Sequence, residues 1–444
     1  MSETQRYHSV ILDEEACKGC TVCVTTCPVG AIRVRDGKAR IMAERCIDCG
    51  ECIRRCPNHA KKALTDQLSD LQDPALFGSF TYKIALPAPS LYGQFPRFSI
   101  RDIHEALLSL GFDEVFPVAS ATDDVASASR AFLDRFNYPD TPRPLISSSC
   151  PTIIKLVQIR FPTLLDHIVP VIAPMEYAGR IARLQAVKHG IALENDSIGV
   201  FFISPCAGKI TEAKAPLGNE TSSINGVFSM KDLHLPLLVA LRTIKKTKKG
   251  QSPSSAREIA WGRAGGEAEA VDPDDLYNSL SVDGMDQCIK ILEAVEEGKL
   301  DSIDFLELMA CTSGCVGGPL SVANPALARY TIREREQKIK AESSPHQAQQ
   351  TASSPASCLR KEQFPARPAL LLDPDYKTAL QMMESMETIF KELPGLDCGC
   401  CGAPGCHALA EDIVRGNAQK TDCVIILKEQ YRELIEKGMK KKKK

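Results

Sequence analysis

Ile198-Gly199-Val200-Phe201-Phe202-Ile203-Ser204-Pro205-Cys206-Ala207-Gly208-Lys209 is the stretch on which the fold turns. A short apolar run stopped by a Ser-Pro turn reads as a buried strand that delivers a cysteine at its C-terminal end. Three other apolar runs end comparably. Ile84-Ala85-Leu86 enters Pro87-Ala88-Pro89-Ser90, Leu145-Ile146 enters Ser147-Ser148-Ser149-Cys150-Pro151, and Phe305 to Ala310 enters Cys311. Amphipathic helices separate these runs. In one of them Ser99 and Asp102 form a capping box, Ile103, Ala106, Leu107 and Leu110 share a face, and Gly111 supplies the stop. This alternation predicts an α/β domain between Tyr82 and Pro319. Such domains collect functional groups at strand C-terminal ends, so Cys150, Cys206, Cys311 and Cys315 are expected to converge despite their separation in sequence.

Upstream lie two copies of one cysteine pattern: Cys17-x2-Cys20-x2-Cys23-x3-Cys27-Pro28 and Cys46-x2-Cys49-x2-Cys52-x3-Cys56-Pro57. The spacing is that of two-cluster bacterial ferredoxins, in which the fourth cysteine of each run crosses to the other cluster. Cys17, Cys20, Cys23 and Cys56 are thus expected to hold one 4Fe-4S cluster, and Cys46, Cys49, Cys52 and Cys27 a second. Paired zinc knuckles are the alternative, but zinc requires neither the crossed arrangement nor the trailing prolines.

Downstream, Cys398-x2-Cys401-x4-Cys406-x16-Cys423 offers four more thiolates, with Gly399, Gly402 and Gly405 permitting close backbone approach. A third accessory 4Fe-4S cluster is expected there. A four-cysteine zinc site tolerates the same spacing, and Cys400 competes with Cys401 as ligand. The sixteen-residue gap reads as a helix that returns Cys423 from its far end, and the preceding helix reads as capped by Asp373 with Pro374 in its first turn. Residues 335–368 lack periodic apolar positions and read as a flexible linker; Lys245 to Lys249 with Gln251 to Ser255, and the terminal Lys440 to Lys444, read as solvated. The expected division is therefore a ferredoxin-like domain at 1–78, an α/β domain at 79–334, the linker, and a small helical iron-sulfur domain at 369–444.

A chain of 444 residues with 44% hydrophobic and 25% charged residues fits this multidomain α/β reading, and a net charge of −2 gives no reason to expect nucleic acid. The N-terminus lacks a basic region followed by an apolar run, and no apolar stretch has the length of a membrane span, which predicts a cytoplasmic protein without a membrane partner. Nineteen cysteines in the reducing cytosol point to metal rather than disulfides. Cys288 reads as a buried apolar residue, Cys358 as a free thiol, and His407 as a residue without a ligand role.

The central domain resembles the FeFe hydrogenases. Their three signature turns are matched by Ser147-Ser148-Ser149-Cys150-Pro151, by Pro205-Cys206-Ala207-Gly208-Lys209-Ile210-Thr211-Glu212, and by Glu307-Leu308-Met309-Ala310-Cys311-Thr312-Ser313-Gly314-Cys315; the last two are complete. Gly265-Gly266-Glu267-Ala268 is similar to the family's Gly-Gly turn. The resemblance implies an H-cluster: a cubane on Cys150, Cys206, Cys311 and Cys315, with Cys315 bridging to a two-iron CO/CN subcluster that needs dedicated maturation proteins. It implies that Lys209, Pro89 and Ser90 contact the cyanides, and that Met309, Ser149 and Ser204 occupy catalytic-site positions.

The departures bear on rate. Ser149 stands where productive members carry a proton-relaying cysteine, Ser204 replaces a methionine, and Ala128 and Ala131 fall near the family's two relay glutamates. The acidic relay is therefore expected to be missing, with Asp123 and Asp124 as substitutes to examine. The resemblance then implies a slow, H2-sensing member of the family, with H2 and protons as substrates and a ferredoxin or signalling protein as partner. An iron-sulfur assembly factor and an electron-transfer subunit of a larger oxidoreductase are the competing readings.

Overall fold

The computed structural model describes residues 7–134, 141–190, 197–217, 221–243, 259–342 and 355–441. The basic stretch 245–249, the serine-rich 251–255 and the last three lysines lie outside them. The chain divides into two compact units: 1–46, 50–63 and 367–444 form one, and 47–49 with 64–366 form the other. The cysteines of the modules at the two ends of the sequence, Cys49 excepted, thus share a unit.

In the larger unit the four expected strands are present, distributed over two parallel sheets. Tyr82–Pro87 and Ile198–Ser204 form the centre of a four-stranded sheet, flanked by Glu114–Val115 and Gly226–Ser229. All seven residues of Ile198–Ser204 are buried, as a strand covered on both faces requires. Phe305–Met309 is the middle of a three-stranded sheet, between Ser279–Asp283 and Leu145–Ile146. Helix Ile100–Ser109 begins at the expected capping box, with Ser99 Oγ accepting from Asp102 N at 3.1 Å. Cys288 is fully buried.

The stretch expected to be a mobile connection is ordered where it is described. Helix Pro325–Glu342 runs into it, and Cys358 is buried rather than loose. Arg360 supplies the physical reason: its guanidinium donates to Glu212 at 3.3 Å and to Val171 O at 3.0 Å, and both partners in the ion pair are 1% exposed. Phe364 stacks under the same cation. Composition could not reveal an anchor made by a single arginine. Arg360→Ala, which strands the Glu212 carboxylate, is expected to destabilise this unit by about 3–5 kcal/mol in chemical denaturation, against under 1 kcal/mol for the exposed Lys338→Ala.

The smaller unit carries two antiparallel pairs, Val10–Leu12 with Lys61–Ala63 and Ile32–Arg35 with Lys38–Ile41, and short helices Val22–Thr25 and Glu51–Arg55. Its C-terminal part packs Met386, Leu393, Leu409 and Ala410 around Cys406 and Cys423. Two sequence expectations need correction here. Asp375, not Asp373, caps helix Tyr376–Glu392, because its carboxylate accepts from Thr378 N at 2.8 Å while Asp373 accepts from Asp375 N one turn earlier. The gap before Cys423 is not one helix: Cys406–Val414 stops at Gly416, whose φ is 73°, and a separate turn at Lys420–Asp422 delivers Cys423.

Candidate cluster sites and the buried carboxyl pair

In the smaller unit, Cys17, Cys20 and Cys23 line one cavity together with Cys56 from the other run. The loops carry positive φ at Gly19 and Thr21 in the first repeat and at Asp48 and Gly50 in the second, a backbone conformation that can gather successive N–H groups on one side. Such concave N–H arrangements suit anionic clusters. Cys27 Sγ accepts from Ala31 N at 3.2 Å and Cys56 Sγ from Ala60 N at 3.3 Å, a bond type that favours a thiolate. Burial pushes the Cys52 thiol up to about 12, with the charges of Cys27 and Cys23 adding to it, so these buried sulfurs need a cationic or cluster partner to ionise. Residues 47–49 belong with the larger unit, where the buried Asp48 accepts from Lys155 Nζ at 2.7 Å.

At the C-terminal site, Cys406 and Cys423 are buried, Cys401 is half-buried, and Cys398 and Cys400 are exposed. Cys401 packs with the apolar cluster that encloses Cys406 and Cys423. His407 is exposed and lies 3.6 Å from Glu387, with its ring against Phe390.

In the larger unit, the strand ends bring the distant turns together through their backbones. Leu320 N donates to Pro205 O at 2.9 Å, Val316 N to Gly262 O at 2.9 Å, and Ala264 N to Ser313 O at 3.2 Å. The Gly-Gly turn has a steric basis: a Cβ on Gly266 would sit 1.9 Å from Ala260 O. Burial raises the Cys315 thiol to about 12 and the Cys206 thiol to about 11, while Lys209 and the neighbouring thiols act electrostatically on both. Lys209 donates Nζ to Ser149 O at 3.0 Å. Burial works against its charge, but Cys315, Glu212, Cys206 and Cys150 outweigh that effect and raise its pKa. A half-buried ammonium on which three thiols and Glu212 act electrostatically is a donor suited to an anion.

The other expected site residues take distinct places. Ser204 is buried and serves its own turn, accepting from Cys206 N at 3.2 Å and donating to Cys206 O at 2.8 Å. Ser90 is buried with its hydroxyl 3.9 Å from Met230 Sδ; Pro89 is buried beside it, and Met309 is buried at the end of its strand. Ala128 is buried on helix Thr122–Leu133 and contributes no acid.

Acid enters instead from two residues that sequence reasoning passed over. Ser147 Oγ and Ser149 Oγ both donate to Glu267 Oε1, at 2.7 and 2.9 Å. Glu307, buried in its strand, accepts from Gly265 N at 3.0 Å, Ala268 N at 2.9 Å and Ser281 Oγ at 3.1 Å. Both carboxyls are held well above the ordinary carboxylate range, chiefly by burial; the Glu307 charge adds to the rise at Glu267, while the serine bonds and Lys209 oppose it. Arg263, itself paired with Glu336 at 2.7 Å and Glu269 at 2.6 Å, opposes the rise at Glu307 without cancelling it. The pair thus retains a proton towards neutral pH. Glu307 was visible in the Glu-x-Met-x-Cys turn and Glu267 in the Gly-Gly turn, but nothing local showed that the two turns face each other.

Cysteine modules of ferredoxin type beside an α/β domain with its own cysteine set define an iron-sulfur oxidoreductase. The family comparison is more specific: the model described as iron only hydrogenase large subunit, C-terminal domain, matches residues 81–273 and 237–319, more than half of the chain, and this protein belongs to that family. A 4Fe-4S dicluster model matches residues 9–57 and an Fe-S cluster model residues 393–425. The chain is 23% identical over 390 residues to the NADP-reducing hydrogenase subunit HndD of Solidesulfovibrio fructosivorans, covering 70% of this chain and 64% of that protein. It is 21% identical over 258 residues to iron hydrogenase 1 of Clostridium pasteurianum, covering 49% of this chain and 44% of the relative. Among solved structures, an FeFe hydrogenase from Chlamydomonas reinhardtii matches with a TM-score of 0.47 and 15% identity, over 68% of this chain and 98% of that one. No helix among the described residues is long and apolar enough to cross a membrane.

Proposed function

We propose that this chain holds an H-cluster and interconverts H2 with protons and electrons slowly, acting in the cell as an H2 sensor. The observation that carries the reading is Lys209, a half-buried cation that donates to Ser149 O at 3.0 Å and on which Cys315, Cys206 and Cys150 act electrostatically. A plain cubane or a zinc site has no use for it, whereas cyanide ligands do. Cys150, Cys206, Cys311 and Cys315 would hold the cubane, and Lys209, Pro89 and Ser90 would bind the two-iron subcluster's ligands. When bound, the two-iron unit supplies the centre at which H2 is exchanged for protons and electrons.

The protein's own residues set the rate. Ser149 is a weak proton carrier, since a hydroxyl's pKa lies far above the value near 8.5 of a free thiol. Its bond to Glu267 joins it to a carboxyl pair that retains a proton, which partly replaces the acidic relay that Ala128 and Ala131 do not supply. Electrons would pass through the ferredoxin-type and C-terminal 4Fe-4S clusters to a ferredoxin or a signalling partner, in a cytoplasmic protein dependent on hydrogenase maturation proteins. The HndD relative, an NADP-reducing hydrogenase subunit, favours the same chemistry.

An infrared spectrum of anaerobically matured protein, recorded with and without H2, tests the proposal. Metal-bound CO and CN bands that shift with H2 are expected, and Lys209→Met is expected to diminish them. Competently matured protein without such bands would instead be an assembly factor or an electron-transfer subunit.

A further inference from the structure

Within the smaller unit, the N-terminal module contacts the C-terminal one both on helix Cys406–Val414 and on the cysteine loop itself. Arg33 and Arg35 lie on the strand that follows Cys27. Arg33 Nε donates to Asp412 Oδ2 at 2.6 Å, and Arg35 Nη2 donates to the same oxygen at 2.7 Å. Arg35 then reaches the cysteine loop directly, Nη1 donating to Cys401 O at 2.9 Å, while Val34 N donates to Gly402 O at 2.8 Å. The approach is close enough that a Cβ on Gly402 would sit 2.0 Å from Val34 O. From the other direction, a Cβ on Gly399 would lie 3.0 Å from Thr25 Cγ2, and Thr25 stands between Cys23 and Cys27.

The Arg33–Asp412 pair is 7% exposed on each side. Buried ion pairs are weak sources of net stability, and their best-attested use is to fix one geometry against others. A zinc site would close its own loop and gain nothing from being registered on a ferredoxin hairpin. A cluster that exchanges electrons gains a short hydrogen-bonded route, because one backbone bond links the Cys401–Gly402 turn to the strand issuing from Cys27.

We propose that the C-terminal site carries a redox-active cluster wired to the ferredoxin-type clusters as the third member of one relay, with Arg35 as the positioning residue that fixes its loop. In each transfer one cluster gives up one electron and its neighbour gains it; no bond is made or broken. Exposed Cys398 would make this third cluster the relay's outlet to a redox partner. The proposal rests on the iron-sulfur reading of these sites and not on the H-cluster, so the infrared bands and the test below fail separately.

The test is electron paramagnetic resonance of the full chain, anaerobically reconstituted with iron and sulfide and reduced with dithionite, alongside metal analysis. Wild-type protein is expected to show spin–spin splitting that includes the third cluster. Cys423→Ser should lose one cluster's iron and that part of the splitting. Arg35→Leu should keep the iron but lose the splitting; should it not fold, Arg35→Lys, which retains a cation for Asp412 but cannot also reach Cys401 O, makes the same test. Zinc in the C-terminal site, an isolated third signal in the wild type, or splitting unchanged in both Arg35 variants would overturn the proposal.

Discussion

Ser149→Cys is expected to raise H2 turnover per assembled active site by about 10^2- to 10^4-fold, the usual worth of a positioned acid-base group. The serine hydroxyl now donates to Glu267 at 2.9 Å, immediately before Cys150. A thiol there keeps the same chain position and a comparable reach, and a thiol is a far stronger acid than a hydroxyl in the same surroundings, so it gives up and recovers a proton more readily. The bonds around it favour tolerance of the change: Ser149 N is held by Ser147 Oγ at 3.1 Å and Ser149 O by Lys209, and neither bond uses the side chain being replaced. The measurement is H2 oxidation with a dye acceptor on matured protein, normalised to the infrared intensity of the CO bands. An unchanged normalised rate would mean that Ser149 does not limit the reaction, and that slowness must be sought in the electron relay.

What was legible in the sequence is what local pattern determines. Strand ends at Ser204, Ile146 and Met309 lie within a residue of the ends of the apolar runs, and Cys56 lines the cavity of Cys17, Cys20 and Cys23. The family itself was readable because its turns are contiguous. Features made by long-range pairing were not readable. Arg360 anchors its segment to Glu212 across 148 residues, and Arg33 meets Asp412 across 379, so neither leaves a periodic or compositional trace. The carboxyl pair shows the same limit. Each glutamate sits in a recognised motif, yet the acid function arises only where Ser147 and Ser149 turn onto Glu267 and where burial, rather than residue type, holds the proton. The positions aligned with the family's relay acids hold alanines, whereas the raised carboxyls, Glu267 and Glu307, belong to the Gly-Gly and Glu-x-Met-x-Cys turns.

Glu267→Gln is the complementary experiment. Glutamine keeps an oxygen to accept from Ser147 and Ser149, so the local bonds survive while the transferable proton does not. A loss of about 10^2-fold in normalised H2 turnover is expected, at the lower end of the range because Ser149 is already a poor donor. In the wild type both carboxyl pKa values are raised, so the protonated pair persists from the ordinary acid range towards neutrality and is lost as pH climbs further. Activity should fall on that alkaline side, and the variant should lack this limb. Stability gives an independent readout. Over the same window the folded state binds more protons than the unfolded chain, so wild-type stability should fall as pH rises through it, with a shallower slope in Glu267→Gln. A variant with wild-type turnover but an altered stability slope would show that the pair is buried acid without a share in proton transfer.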